Sequence, residues 1–216
     1  MCWVWGLGET VCTNCAKEIS PIQKDLCPAC FNPSQYGMTH DHCRGNTHLD
    51  GALALVQYRG VVKKIIKEIK YRFAYKALND FLKNIPKYWY EKFNIIKLKY
   101  PNSALCPIPL HPLRQKNRGF NQAELLAKSF EEITLLEAHQ FLVRIKNNPP
   151  QAQQKSRALR KTNIYRSFQI ISLKNSPNTV ILVDDLFTSA STANEAARTL
   201  KKNGTKHVFL FALAHG

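Results

Sequence analysis

Asp184 and Asp185 close an apolar run, Val180-Ile181-Leu182-Val183, and are followed by Thr188, Ser189, Ser191 and Thr192. Paired carboxylates beside a hydroxyl-rich turn suit a ligand that carries both vicinal hydroxyls and a phosphate. The carboxylates would repel a bare phosphate, so a sugar diol or a bound Mg²⁺ is what makes them useful there. Hydroxyls and free backbone N–H groups at a helix start bind the phosphate itself. A ribose 5-phosphate meets both demands. The elements that must hold these groups stand on either side. The β-branched run without alternation predicts a strand of a parallel sheet covered on both faces, and ligands of such sheets gather at the carboxyl ends of the strands. Ala193–Lys202 predicts a helix that Gly204 can end. The plainer alternative is a buried strand with an Asp cap and an ordinary Ser/Thr turn. A Walker-B use of the two aspartates is excluded, because the chain has no Gly-x-x-x-x-Gly-Lys-Ser/Thr loop.

The amino-terminal region offers metal chemistry. Cys12-Thr-Asn-Cys15 and Cys27-Pro-Ala-Cys30 are two C-x-x-C knuckles separated by 11 residues, enough for a loop to bring both pairs around one tetrahedral ion. Four thiolates make a closed structural zinc site, with no position open for catalysis. Residues 10–45 hold few apolar side chains, so metal binding would supply the folding free energy they lack. Cys27, Cys30, His40 and Cys43 form a competing ligand set. The alternative for His40, His42, Cys43 and His48 is ordinary loop polarity.

The whole chain narrows the setting. Its 216 residues carry 31 Lys plus Arg against 15 Asp plus Glu, a net charge of +16 that calls for a polyanionic partner. The excess is central: residues 61–100 hold 11 cations against 3 carboxylates, and 101–168 hold 11 against 4. No apolar run approaches the ~18 residues of a membrane span, and the start lacks the basic and apolar regions of a secretory signal. Seven cysteines, four of them in C-x-x-C pairs, fit zinc in a reducing compartment, so the cytoplasm is the expected location.

Leu53–Tyr58 alternates as a strand does, and Val62, Ile65, Ile66 and Ile69 then recur at helical spacing over Val61–Lys70. The other face of that helix carries Lys63, Lys64, Lys67 and Lys70, and Tyr71-Arg72-Phe73 continues with rings and cations interleaved. Bases stack on rings while cations hold the backbone, as single-stranded nucleic acid binding requires. The alternative is a solvated lysine face with the aromatics in the core. A second strand, basic loop and helix begin at Leu105. A Pro-rich turn leads to Arg114, Lys116 and Arg118, and a helix over Gln122–Phe130 is capped by Asn121 with Glu124 three residues on. Guanidinium forks there suit a diphosphate. Residues 144–168, opening with Asn147-Asn148-Pro149-Pro150, predict a basic mobile segment able to cover the site.

The order Asp-Asp then Thr/Ser turn resembles the ribose-phosphate signature of type I phosphoribosyltransferases. That resemblance implies a parallel-rich α/β sheet with helices on both faces. It also implies that Asp184 and Asp185 contact the ribose hydroxyls of phosphoribosyl pyrophosphate (PRPP), carried with Mg²⁺, and that Thr188, Ser189, Ala190, Ser191 and Thr192 cradle its 5-phosphate. Such turns usually carry Gly where this chain has Ala190. Pro109-Leu110-His111 and Arg118-Gly119-Phe120-Asn121-Gln122, behind the cysteine knuckles and ahead of the Asp pair, are similar to the ComF family of competence proteins over most of the chain. The Thr-x-x-Gln-x-x-x-Ser-like stretch usual in that family is replaced here by Pro149–Ser156.

The resemblance implies a small zinc-finger module, residues 1–49, before a phosphoribosyltransferase-like domain, residues 50–216. It also implies a protein of natural transformation that handles incoming single-stranded DNA, in the cytoplasm or peripheral to the inner membrane beside other uptake proteins. Two functions follow. In the first, Lys63, Lys67, Lys70, Arg72 and Lys116, with Arg114 and Arg118, hold single-stranded DNA. In the second, Asp184 and Asp185 hold Mg²⁺·PRPP, Arg114 and Arg118 stabilise departing diphosphate, and ribose 5-phosphate passes to an acceptor. No aromatic pocket for that acceptor can be picked out of the sequence.

Overall fold

Parallel strands β1 (Gly51–Gln57), β2 (Ser103–Pro107), β5 (Thr179–Phe187) and β6 (His207–His215) form one sheet in the order β1-β6-β5-β2. The structure is a computed structural model, and it describes residues 13–71, 78, 81–82, 88–148, 163–171 and 177–216. Side chains alternate between two cores, which explains why the strands themselves read as continuous apolar runs. On one face Leu53, Leu55, Ile181, Val183, Phe209 and Phe211 meet helices α2 (Gly60–Tyr71), α3 (Tyr88–Lys99) and α5 (Gln122–Thr134) through Val62, Ile65, Phe93, Leu126 and Phe130. Phe93 packs edge-on against Phe211 with centroids 4.6 Å apart. On the other face Ala52, Ala54, Val180, Leu182 and Leu210 meet helix α6 (Ser191–Lys202) through Ala193, Ala196, Ala197 and Leu200. The α/β class with a parallel sheet and helices on both faces is as expected.

The amino-terminal region, including a short helix α1 (Thr13–Lys17) and two 3-10 turns (Gln35–Gly37 and Asp41–Asn46), lies along β1. Ile22 N–H donates to the Leu55 carbonyl at 3.2 Å and Gln57 N–H to the Ser20 carbonyl at 2.9 Å, an antiparallel pairing about Pro21 and Val56. Thr39 N–H donates to the Asp50 carbonyl at 2.8 Å. Gly37, at φ +64°, makes this approach possible: a Cβ there would lie 1.9 Å from the Ala52 carbonyl oxygen. Gly37→Ala is therefore expected to lower stability by at least ~2 kcal/mol, read as a fall in Tm. A Tm within a degree of the parent would show that this contact is not held in solution.

The opposite side of the sheet continues past β2, where Leu105 N–H donates to the Glu137 carbonyl and His139 N–H to the Leu105 carbonyl, both at 2.9 Å. Residues 112–118, expected as a basic loop, are instead a helix, α4 (Pro112–Arg118). Pro112 occupies a first-turn position, where its missing N–H costs nothing, and the His111 ring accepts from Leu113 N–H at 3.3 Å. The expected mobile segment begins and ends in a paired ribbon, β3 (Leu142–Arg144) against β4 (Phe168–Ile170). Residues 149–162 between them lie outside the described residues.

Candidate functional site

The carboxyl ends of β2 and β5 open into a cavity of about 690 Å³, lined by Asp184, Asp185 and the whole 188–192 turn on one side and by Arg114, Arg118, Gln122 and Arg144 on the other. The sequence motifs at 109–122 and 180–192 thus share one pocket. Gly119 at φ 84° and ψ −17° ends α4 by a left-handed turn, its N–H donating to the Gln115 carbonyl at 2.7 Å. That turn lets Asn121 cap α5: its side-chain oxygen accepts from Ala123 N–H at 3.1 Å, while its amide group donates to the Ile108 carbonyl at 3.1 Å. Gln122 then stands in the first turn of α5. Its amide oxygen accepts from Arg118 and its Nε2 donates to Asp185 Oδ1 at 3.4 Å. The Arg-Gly-Phe-Asn-Gln run therefore works as a brace between a guanidinium and the buried carboxylate of Asp185. Asp184 turns inward differently, its Oδ1 accepting from Asp185 N–H at 2.8 Å.

Arg144 is the residue that the sequence reading missed. It projects from β3 into the same pocket and is only 6% exposed. Its guanidinium sits 5.7 Å from the Phe168 ring and donates to the Lys146 carbonyl at 3.3 Å. Burial and the charge of Arg114 push its pKa down to about 10, against the opposing pull of Asp184. Arg114 is lowered in the same way, by burial first and then by Arg118. Clustered guanidinium groups that depress one another are suited to a multiply charged anion, whose phosphates supply the missing opposite charge. The signal in the sequence was weak: a lone Arg ending a short apolar run.

The turn before α6 departs from the residue type its shape favours. Ala190 holds φ 54° and ψ 4° at the cap position, and Ser189 Oγ and Ser191 Oγ lie 3.0 Å apart around it. A left-handed conformation costs a side-chain-bearing residue ~1–2 kcal/mol, partly offset by the extra chain entropy that Gly would lose on folding. Ala190→Gly is expected to stabilise the protein by ~0.5–1 kcal/mol. Thermal unfolding checks this, and a lower Tm would show that the Ala190 methyl group packs better than the backbone is strained.

A second constellation lies in the amino-terminal region. Sγ of Cys27, Cys30 and Cys43 and a ring nitrogen of His40 lie within 4.8 Å of one another. Ligand atoms at the corners of a zinc tetrahedron with bonds of ~2.3 Å lie about 3.8 Å apart, so the group can close on such an ion with small shifts. The donor chemistry also fits. His40 Nε2 faces the Pro33 carbonyl at 3.2 Å and must carry the proton, leaving Nδ1, 3.4 Å from Cys30 Sγ, to coordinate. Burial raises the Cys27 thiol, but N–H groups of Cys30, His40 and Ala29 outweigh it and leave the pKa lowered. Burial, with Cys30 and Cys27 beside it, pushes the Cys43 thiol up to about 11. Thiols this close ionise together only when a cation shares their charge. The Cys₃His group can therefore hold a metal such as zinc.

Of the two expected knuckles the structure brings in the second. Cys15 packs with Ala16 and Ile19 against the core rather than joining the group, and Cys12 lies outside the described residues. The competing set drawn from the sequence is the one assembled here; its clue is that His40-x-x-Cys43 repeats the spacing of Cys27-x-x-Cys30. The expected nucleic-acid contacts are scattered by comparison. Lys63 and Lys67 are exposed on α2 and Lys116 on α4, and none of them lines the pocket. Lys63 Nζ stands 5.6 Å from the ring of Tyr58, which does line it. The Lys70 side chain and Arg72 lie outside the described residues. No helix among the described residues is long and apolar enough to cross a membrane.

Fold and site define an α/β protein with a parallel sheet, an acidic and hydroxyl-lined pocket at its carboxyl edge, and a cysteine-histidine module fit for zinc. No family model matches the chain. It is 31% identical over 207 residues to the competence protein ComFC of Bacillus subtilis, covering 91% of this chain and 80% of the relative. It is 26% identical to competence protein F of Haemophilus influenzae, over 94% of this chain and 90% of that one. The DNA utilization protein YhgH of Escherichia coli is 23% identical over 99% and 96% of the two chains. The chain belongs to the ComF family of competence proteins.

Proposed function

We propose that this protein serves DNA uptake competence by handling incoming single-stranded DNA, and that it binds PRPP or a related ribose phosphate. The observation that carries the ribose-phosphate half is the meeting of Asp184, Asp185 and the 188–192 turn with Arg114, Arg118 and Arg144 around one cavity. Such a cavity offers carboxylates to a diol, a hydroxyl-rich helix start to a monophosphate and guanidinium groups to a diphosphate. Asp184 and Asp185 would hold the Mg²⁺ carried by PRPP, which neutralises diphosphate charge when bound. The DNA half is supported by the names of the relatives in Bacillus and Haemophilus, by the net charge of +16, and by exposed Lys63, Lys67 and Lys116. In this reading residues 1–49 are the zinc-binding module and 50–216 the phosphoribosyltransferase-like domain. The same reading puts the protein in the cytoplasm or peripheral to the inner membrane beside other uptake proteins.

The three arginines favour a second reading, in which the site turns PRPP over. The bond between ribose C1 and diphosphate breaks, the leaving diphosphate keeps the electron pair, and an acceptor supplies the pair for the new bond. Arg118, Arg114 and Arg144 would stabilise the departing charge, with Asp184 and Asp185 holding the ribose as C1 becomes cation-like.

Titration of the wild type and Asp185→Asn with single-stranded DNA and with Mg²⁺·PRPP separates the two readings. The variant is expected to lose PRPP affinity at least tenfold and to keep DNA affinity within twofold, and DNA binding is expected to weaken steeply with salt. Negligible DNA binding with release of diphosphate would overturn the first reading in favour of the second. Unchanged PRPP affinity in the variant would remove the Asp pair from the site.

A further inference from the structure

We propose that single-stranded DNA lies in the groove between the amino-terminal module and the end of α3, at the opposite end of the sheet from the ribose-phosphate pocket. This rests on the DNA half of the reading above and gives it a place. The groove has a volume of about 700 Å³; one wall comes from residues 33–44 and the other from Ile95, Ile96, Lys99 and Tyr100. Met38 pairs with Gly51 at the start of β1, and Tyr100 precedes β2, so the groove opens at the amino ends of the parallel strands. Asp184, Asp185 and the 188–192 turn stand at the carboxyl ends. DNA held in the groove leaves the larger pocket open to its own ligand.

Rings and cations meet here in the combination that single-stranded nucleic acid needs, because bases stack on rings while cations hold the phosphates. Tyr36, His42 and Tyr100 line the groove. Tyr100 is backed by His207 at 4.8 Å and Phe209 at 4.9 Å between ring centroids, and His42 is stacked on His40 at 5.2 Å. Tyr36 holds φ 52° and ψ 27°, a left-handed conformation uncommon for a residue with a side chain. Rings already fixed by their surroundings lose little freedom when a base stacks on them. Ile95, 39% exposed, adds an apolar contact on the same wall.

Charge is the second argument. Arg44 and Lys99 line the groove, and Lys99 Nζ stands 5.7 Å from the centre of the Tyr100 ring. Residues 33–50, 95–102 and 201–206, which lead into β1, β2 and β6, carry six cations and two carboxylates, Asp41 and Asp50. Each carboxylate is already paired, Asp41 with Arg44 at 2.9 Å and Asp50 with Lys201 at 2.8 Å. The remaining positive excess suits a chain of phosphates. Rings set beside those cations favour unpaired bases over an acidic peptide, which has nothing to stack, and over a duplex, whose bases are stacked on each other.

Fluorescence anisotropy of a labelled oligothymidylate with the full chain tests this. Lys99→Glu, which reverses a charge in the groove, and Tyr36→Gly, which removes a ring and suits the left-handed backbone, are each expected to weaken the oligonucleotide tenfold or more. Lys128→Glu, the same change of charge at an exposed position of α5 outside the groove, is expected to stay within twofold of the parent. The salt dependence should become shallower in Lys99→Glu and keep its slope in Tyr36→Gly, since only the first loses a phosphate contact. Metal content and Mg²⁺·PRPP affinity should match the parent in all three variants. Parent-like DNA affinity in both groove variants overturns the groove and leaves the DNA reading standing. So does an equal loss in Lys128→Glu, a loss seen only where metal is lost as well, or binding of duplex DNA or a polyglutamate peptide as tight as that of the oligothymidylate. Failure of the parent itself to bind the oligothymidylate overturns the DNA reading and the groove together.

Discussion

Cys43→Ser is expected to empty the protein of zinc and to unfold the region that leans on it. Cys43 is 4% exposed and shares its cluster with Cys27, Cys30 and His40. Structural zinc contributes on the order of 10 kcal/mol to small modules of this kind, and a serine hydroxyl is a poor replacement for a thiolate. Metal analysis should fall from one zinc per chain to well under half, and Tm should fall by ten degrees or more. Cys15→Ser is the control that decides between ligand sets: Cys15 packs against the core, so its replacement should leave the zinc content at one. Full retention of zinc by Cys43→Ser, with loss in Cys15→Ser, would return the site to the two C-x-x-C knuckles.

Arg144→Gln is expected to separate binding from stability. A guanidinium held at about pKa 10 by burial is charged at pH 7, and it is less favourable there than in the unfolded chain, whose ordinary value lies above 12. The group therefore opposes folding at every pH below that folded value, by an amount on the order of 3 kcal/mol before its packing on Phe168 is counted. Removing the charge should leave the ligand-free Tm within about three degrees of the parent. A charge-assisted, buried contact to phosphate should vanish with it, weakening Mg²⁺·PRPP by thirtyfold or more and abolishing most of the Tm rise that the ligand produces. A variant that melts ten degrees lower yet binds PRPP normally would make Arg144 a structural residue.

The strands and helices that carry the site were legible because each has a one-dimensional signature. Val180–Val183 lies within β5, the helix expected over Ala193–Lys202 is α6 with two more residues at its start, and Asn121 caps α5 as its spacing predicts. The acidic pair, the hydroxyl turn and the arginines of α4 could be placed in one pocket because all follow sheet strands at their carboxyl ends. Arg144 could not, since its place depends on β3 pairing with β4 across 23 intervening residues. The helix that His111 caps was hidden for a local reason: a Pro-rich stretch reads as a turn, yet Pro112 at a first-turn position begins a helix.

The pairing of residues 20–22 with β1 has a consequence for the protein outside the cell's ordinary conditions. β1 is an apolar strand, Gly51-Ala-Leu-Ala-Leu-Val56, at the border of the sheet, and β2 at the other border already has Glu137–His139 beside it. An unclothed strand of that composition is a template for joining a second chain. The segment that carries the Cys₃His group is thus a sheath over an adhesive margin, and a metal held there would guard solubility as well as shape. Chelation, acid or thiol oxidation would then loosen the sheath and leave the chain prone to self-association through β1.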